Sequence, residues 1–299
     1  MSVLAAIDCG TNSIRLLIVR DGQEVLREME IVKLGEGVDR TKRFSPAAVE
    51  RTLSAVRKFR TLIDENKVEK IRFCATSATR DAENREIFIE PVAEILGVVP
   101  EVIVGTEEAR LSFLGATAEL PRELAPFLVV DIGGGSTEFV FGHDDVASAI
   151  SVDIGCVRMT ERHFVADPPS AIEIEQARVD INNAIDRAQS KVPITSARTL
   201  VAVAGTATTV AAAALDLVSY QREQIHGARI SASQTVAVSD WLLSLPRDER
   251  AELGYMHPGR VDVIAAGALV LAEIIKRTKA EEFVASERDI LDGIVASLR

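Results

Sequence analysis

A short glycine-containing motif occurs twice in this chain, at positions 8–15 and 131–138. The two copies read DCGTNSIR and DIGGGSTE, so both follow the pattern D-x-G-x-x-S-x-[R/E]. Each copy follows one apolar run and precedes another, which is typical of two strands joined by a tight turn. Two matched turns in matched surroundings predict a duplicated fold, with one such turn in each half.

Turns of this kind are suited to binding phosphate, because successive backbone N–H groups and one hydroxyl group point toward the same anion. The leading aspartate of each copy can hold a divalent cation or its water shell. We therefore predict phosphate groups bound between the two halves. The predicted phosphate-binding residues of the two turns are Thr11, Asn12, Ser13, Gly133, Gly134, Gly135 and Ser136.

The pattern of apolar residues predicts the same order of elements, βββαβαβα, in both halves of the chain. The second half carries an additional helical stretch. Between Pro121 and Pro126 two prolines frame a charged break, which we take as the boundary. The prediction is an α/β protein with domains at 1–124 and 125–299, in which the last helix, about 288–299, is able to pack back on the first domain.

Composition narrows the range of partners and compartments. The net charge of −11 repels nucleic acid and anionic membranes, so neither is expected to bind. The apolar stretch at 201–218 is interrupted by polar residues and predicts a buried strand, turn and helix instead of a membrane span. Three cysteines without a C-x-x-C spacing, and no secretory signal, predict a reduced, cytoplasmic protein.

Seven phrases between positions 6 and 264 carry a resemblance to a known family. In order they read AIDCGTNSIR, ATSATRDAEN, GTEEARL, DIGGGSTE, GCVRMTE, GTATT and PGRVDVI. Together they resemble the exopolyphosphatase/guanosine pentaphosphatase family, which is part of the sugar-kinase/actin/heat-shock-protein-70 superfamily. The resemblance implies two ribonuclease-H-like (actin-like) domains with a phosphate-binding interdomain cleft. It also implies a short, two-domain member that forms a homodimer.

The same resemblance implies an enzyme. The expected activity is a hydrolase that releases terminal orthophosphate from inorganic polyphosphate with Mg²⁺, or with Mn²⁺ as the alternative metal. Hydrolysis of the 5′ γ-phosphate of guanosine pentaphosphate is the alternative in the same class, because its motifs are shared. Two other classes stay open: an actin-like ATPase or kinase, for which the phrase at 205–209 is the only sign of an adenosine pocket, and a non-catalytic sensor of phosphate or alarmones.

Phosphoryl transfer needs an aligned water, a group that deprotonates the water, and cations that neutralise the phosphate oxygens. The resemblance assigns the catalytic base to Glu108, with its neighbour Glu107 as the second candidate. Arg15 and Arg80 are the expected cationic clamps, since one guanidinium group can bind two phosphate oxygens at once.

Carboxylates of the two repeated motifs are the candidate metal ligands. Asp131 and Glu138 form the expected Mg²⁺ centre, and Asp8 is the expected second anchor. Hard carboxylate oxygens suit Mg²⁺, which usually keeps several waters and shares the oxygens of a phosphate.

Overall fold

In the computed structural model, which describes residues 2–298, the sequence repeat becomes a repeat of two mixed β-sheets. The first sheet has the strand order β3-β2-β1-β4-β5. Its central strand β1 is buried along its whole length, runs antiparallel to β2 and parallel to β4. The strands are β1 (Val3–Cys9), β2 (Ser13–Arg20), β3 (Gln23–Ile31), β4 (Lys70–Ala75) and β5 (Glu101–Val102).

Two short helices of the first half, α1 (Val38–Thr41) and α3 (Ser77–Asp81), are not predicted by the sequence pattern. The short helix α3 directly follows β4, in a Ser/Thr-rich phrase with no apolar periodicity to indicate it. The long helix α2 begins as its sequence indicates, with the Ser45 side chain accepting a hydrogen bond from the Ala48 N–H. The helices are α1 (Val38–Thr41), α2 (Pro46–Glu65), α3 (Ser77–Asp81), α4 (Glu86–Leu96) and α5 (Gly105–Thr117).

The second sheet repeats the topology of the first. Its order is β10-β11-β9-β6-β7-β8, so β6 takes the place of β1 and pairs antiparallel with β7 and parallel with β9. β10 adds an extra antiparallel edge strand. The strands are β6 (Phe127–Ile132), β7 (Thr137–Gly142), β8 (Val146–Val152), β9 (Thr199–Val203), β10 (Arg229–Ser231) and β11 (Glu282–Ala285).

Eight α-helices follow β6 in the described part of the chain. Three of them, α9, α10 and α11, form the predicted insertion between α8 and α12. The apolar stretch at 201–218 forms the end of β9 and the helix α8, as predicted. No helix within residues 2–298 is long and apolar enough to cross a membrane. The helices are α6 (Cys156–His163), α7 (Ala171–Gln189), α8 (Ala204–Ala214), α9 (Arg222–Ile225), α10 (Ala232–Ser244), α11 (Arg247–Ala251), α12 (Ile264–Thr278) and α13 (Ile290–Ala296).

The described chain divides into two compact units, one of residues 2–115 with 290–298 and the other of residues 116–289. The final helix α13 therefore belongs to the unit that contains the first sheet. Apolar residues of α13 pack with Leu4, Ala6 and Leu17 of that sheet. A bidentate ion pair adds to this packing, in which Arg27 Nη2 lies 2.8 and 3.0 Å from the two carboxylate oxygens of Asp292.

All three cysteines are buried and none forms a disulfide. Desolvation by burial raises the pKa of the Cys74 thiol to about 12 and that of the Cys156 thiol to about 11. Because the thiolate is the reactive form, these groups behave as small apolar side chains.

The close approach of α13 to α5 predicts a strong effect of one added methyl group. A Cβ atom on Gly293 would lie 2.0 Å from the carbonyl oxygen of Leu111. We expect Gly293→Ala to lower the free energy of unfolding by about 1–3 kcal/mol, because backbone has to move to admit the methyl group. Urea denaturation measures the change. The exposed Ala296→Ser in the same helix is the control and should change stability by less than about 0.5 kcal/mol; equal midpoints for the two variants would contradict the prediction.

Candidate active site

The two glycine turns have the same closing hydrogen bond. The Gly10 N–H donates to the Ser13 carbonyl at 2.9 Å, and the Gly133 N–H donates to the Ser136 carbonyl at 3.0 Å. Each turn joins the first strand of its sheet to the second. The sequence repeat is therefore a repeat of backbone geometry, one copy in each unit.

Carbonyl groups of the first turn are held by the segment that follows β3. The Gly35 N–H donates to the Thr11 carbonyl at 2.9 Å, and the Val32 and Lys33 N–H groups both donate to the Asn12 carbonyl. Because C=O and the next N–H of a planar trans peptide point in opposite directions, the N–H groups that follow point away from this segment. Gly35 is required here, since a Cβ atom would lie 2.3 Å from Thr11 Cγ2.

The second turn is held in the same way by the N-terminus of α6. Carbonyl oxygens of Gly133, Gly134 and Gly135 accept hydrogen bonds of 2.9–3.1 Å from backbone N–H groups of residues 155–157. The Gly135 carbonyl also accepts a hydrogen bond of 2.7 Å from Nε of the buried Arg158. The N–H groups of residues 134–136 consequently point away from α6, which is the arrangement that cradles an anion.

One buried hydroxyl group in the first turn lacks a hydrogen-bond partner within residues 2–298. Thr11 Oγ1 is buried and makes no hydrogen bond there, and Thr79 Oγ1 in α3 shares this property. Leaving a buried donor unsatisfied costs about 1–3 kcal/mol. A phosphate oxygen bound at the turn is an acceptor that satisfies Thr11.

The two turns differ in the residue that lies opposite their aspartate. In the β1–β2 ladder Asp8 pairs with Arg15, whereas in the β6–β7 ladder Asp131 pairs with Glu138. Arg15 Nη2 and Nε lie 2.5 and 3.1 Å from the Oδ2 atom of Asp8. One turn therefore starts with an ion pair and the other with two facing carboxylates.

Glu138 is almost fully buried, with 1% of its surface exposed, and its neighbour Asp131 has 6% exposed. The Oε1 atom of Glu138 accepts hydrogen bonds from Ser136 Oγ at 2.8 Å and from Ser151 Oγ at 2.6 Å. Sequence reasoning missed Ser151. Its contact with Glu138 depends on the register between β7 and β8, in which Ser151 is the direct partner of Glu138.

Facing carboxylates of this kind suit a divalent cation, because their mutual repulsion in a buried position is offset by positive charge between them. Within residues 2–298 no group of three or more His, Cys, Asp or Glu side chains is arranged so that it could hold a metal ion. A pair of carboxylates such as Asp131 and Glu138 would suit Mg²⁺, which takes one or two carboxylates together with waters and phosphate oxygens. The assignment of Asp8 as a second anchor stays a prediction; its carboxylate is paired with Arg15.

Two further residues predicted from the sequence lie in direct contact in the first unit. Arg80 Nη1 donates to Glu108 Oε2 at 2.6 Å and to the Ile103 carbonyl at 3.0 Å. Glu108 stands in the first turn of α5 and has 8% of its surface exposed. The helix that carries Arg80 begins beside the first glycine turn, where the Thr76 N–H donates to the Cys9 carbonyl.

The neighbouring Glu107 is bound differently. Arg110 donates to its two oxygens at 2.8 and 3.0 Å, and Arg72 donates to one of them at 3.3 Å. The hydrogen bond from Arg110 is the largest cause of a lowered pKa for Glu107. Glu107 is thus engaged by two arginines, whereas Glu108, the base that the resemblance implies, contacts Arg80.

The sequence is similar to those of known phosphatases. A model of the Ppx/GppA phosphatase family matches residues 18–299. Exopolyphosphatase 2 of Mycobacterium tuberculosis is 45% identical, over 99% of this chain and 98% of the relative. A bifunctional 3-dehydroquinate synthase/phosphatase of Fusobacterium nucleatum is 34% identical over 97% of this chain and 46% of its own length.

Solved structures with a similar fold include exopolyphosphatases and Ppx/GppA family members. A crystal structure of an exopolyphosphatase-like protein is 47% identical, with a TM-score of 0.97 over 99% of this chain and 98% of that chain. An exopolyphosphatase from Cytophaga hutchinsonii has a TM-score of 0.92 at 25% identity, covering 99% and 97%. An Aquifex aeolicus member of the Ppx/GppA family has a TM-score of 0.83 at 31% identity, covering 99% and 97%.

The support of the second turn by α6 predicts that Gly155 is indispensable. A Cβ atom on Gly155 would lie 2.3 Å from the carbonyl carbon of Gly134, so the turn has to shift. We expect Gly155→Ala to lower phosphatase activity by about 100-fold, since a displacement near 1 Å at a catalytic site has an effect of this size. The measurement is phosphate release, with far-UV circular dichroism to verify the fold. A folded variant with wild-type activity would contradict the role given to α6.

Proposed function

Because the chain belongs to the Ppx/GppA phosphatase family, we propose that it is an exopolyphosphatase that releases orthophosphate from the end of inorganic polyphosphate. We infer polyphosphate as the substrate from the 45% identity to Exopolyphosphatase 2 over nearly the full length of both chains. Each glycine turn directs its amide groups away from the segment that supports it, which is consistent with the binding of a phosphate group.

We assign the binding of phosphate oxygens to the two turns. In the first turn the contacts are the backbone N–H groups and the hydroxyls of Thr11 and Ser13, beside Asn12. In the second turn they are the N–H groups of residues 134–136. Because the protein carries a net charge of −11, these local contacts and the arginines have to offset the repulsion of a polyanion. Arg15 and Arg80 are the proposed clamps, each already oriented by a carboxylate.

We further propose that Asp131 and Glu138 hold Mg²⁺, or Mn²⁺ in its place. The bound metal would neutralise negative charge on the phosphate oxygens. The chain would contribute two buried carboxylates with hard oxygen atoms. The Glu138 carboxylate is held in place by hydrogen bonds from two hydroxyl groups. Divalent-metal dependence of the activity follows from this assignment.

Glu108 is the proposed general base. Its carboxylate takes a proton from a water molecule, the water oxygen attacks the terminal phosphorus, and the bond to the bridging oxygen breaks. The products are orthophosphate and a chain shortened by one phosphate. Arg80 fixes the orientation of this carboxylate through the contact at 2.6 Å.

The terminal phosphoanhydride of guanosine pentaphosphate presents the same reacting groups, so its hydrolysis is the alternative activity of this site. The family resemblance drawn from the sequence motifs implies both kinds of phosphatase. We also propose a homodimer, which follows from the resemblance, and a cytoplasmic location, which the three free, buried thiols support.

Adjacent glutamates provide a matched pair of variants for the proposed mechanism. We expect Glu108→Gln to lower kcat for polyphosphate by about 100-fold or more, because an amide cannot accept the proton. Glu107→Gln should keep kcat within about threefold, since it removes only contacts to Arg110 and Arg72.

The assay is phosphate release with Mg²⁺ from short polyphosphate, long polyphosphate, guanosine pentaphosphate and ATP, offered to the wild-type protein and both variants. The proposal predicts that polyphosphate is the best substrate. Preference for guanosine pentaphosphate would establish the alternative activity, and preference for ATP would contradict both. Full activity of a folded Glu108→Gln variant would remove Glu108 as the base.

A further inference from the structure

Three neighbouring strands of the second sheet place three polar residues in one row. Asp131 on β6 is paired with Glu138 on β7, and Glu138 is paired in turn with Ser151 on β8. Residues that pair directly across a sheet project to the same face, so the three side chains lie side by side. This row runs from the start of the glycine turn to the edge of the sheet.

Ser151 reaches Glu138 more closely than Ser136 does. Its Oγ atom lies 2.6 Å from Glu138 Oε1, and Ser136 Oγ lies 2.8 Å from the same oxygen. The terminal torsion of a glutamate side chain has a broad, roughly twofold preference and is weakly fixed on its own. Two hydroxyl donors on one oxygen, from two different strands, restrict that rotation and define where the carboxylate plane lies.

The first unit has no counterpart of this arrangement. There the equivalent row is Asp8, Arg15 and Met29, and a thioether has no hydrogen to donate. Asp8 is instead oriented by the guanidinium of Arg15. In the second unit Ser151 takes the place of Met29 in this row, and it donates to the carboxylate that takes the place of Arg15.

We propose that Ser151 is a positioning residue that holds Glu138 in the orientation needed to bind a divalent cation. The inference rests on the proposed metal site of Asp131 and Glu138. Residues that hydrogen-bond to metal ligands typically change metal affinity by 10–100-fold when they are replaced. The role thus predicts an effect on metal binding itself, separate from any effect on turnover.

Threonine and valine at position 151 provide a matched comparison, because they have nearly the same shape and differ in the hydroxyl group. Both also suit a β-strand. The control is Ser148→Ala on the same strand, which removes a buried hydroxyl that has no hydrogen-bond partner within residues 2–298. Ser151→Ala is the additional variant if valine prevents folding.

Metal affinity is measured as the Kd of Mn²⁺ by electron paramagnetic resonance, without substrate, alongside the Mg²⁺ concentration that gives half-maximal phosphate release. We expect Ser151→Val and Ser151→Ala to weaken Mn²⁺ binding by about 10-fold or more and to raise the Mg²⁺ requirement similarly. Ser151→Thr and Ser148→Ala should stay within about threefold of the wild-type values, with thermal unfolding used to verify the fold of every variant.

The possible results separate this inference from the proposed function. Saturable Mn²⁺ binding to the wild-type protein that is unchanged in folded Ser151→Val and Ser151→Ala would overturn the role of Ser151 alone. A wild-type protein without saturable Mn²⁺ binding would overturn the metal site and this inference with it. Equal weakening by Ser151→Thr and Ser151→Val would show that the shape of the residue, and not its hydroxyl group, matters, and would also overturn the inference.

Discussion

The candidate site depends first on how the carbonyl groups of the two glycine turns are held. Backbone N–H groups of residues 32, 33 and 35 donate to the carbonyls of the first turn, and those of residues 155–157 donate to the carbonyls of the second. In a planar trans peptide, fixing the C=O group fixes the following N–H group in the opposite direction. Both turns are therefore preorganised to donate to an anion, which lowers the cost of ordering them when phosphate binds.

The difference between the two turns has a simple electrostatic origin. The residue opposite the aspartate is Arg15 in one ladder and Glu138 in the other. An arginine neutralises the aspartate from within the chain, whereas two facing carboxylates favour a cation from solution. The same backbone turn thus carries a cationic side chain opposite its aspartate in the first unit and a second carboxylate, the proposed metal ligand Glu138, in the second.

Sequence alone predicted the elements that depend on local pattern. The repeated motif and the βββαβαβα order are confirmed by the two sheets, because apolar periodicity and glycine turns are properties of short segments. The contact of Arg80 with Glu108 and the role of Ser151 were not predictable in this way. The first joins residues 28 positions apart, and the second depends on the strand register. The helices α1 and α3 were missed because segments of four and five residues are too short to carry a periodic signal.

The central claim is that the divalent cation binds at the second turn, at Asp131 and Glu138. Anomalous diffraction from a crystal of the protein soaked in Mn²⁺ and phosphate tests it most directly. The account predicts an anomalous peak within coordination distance of the carboxylates of Asp131 and Glu138. A peak at Asp8, with none at Asp131 and Glu138, would contradict the account.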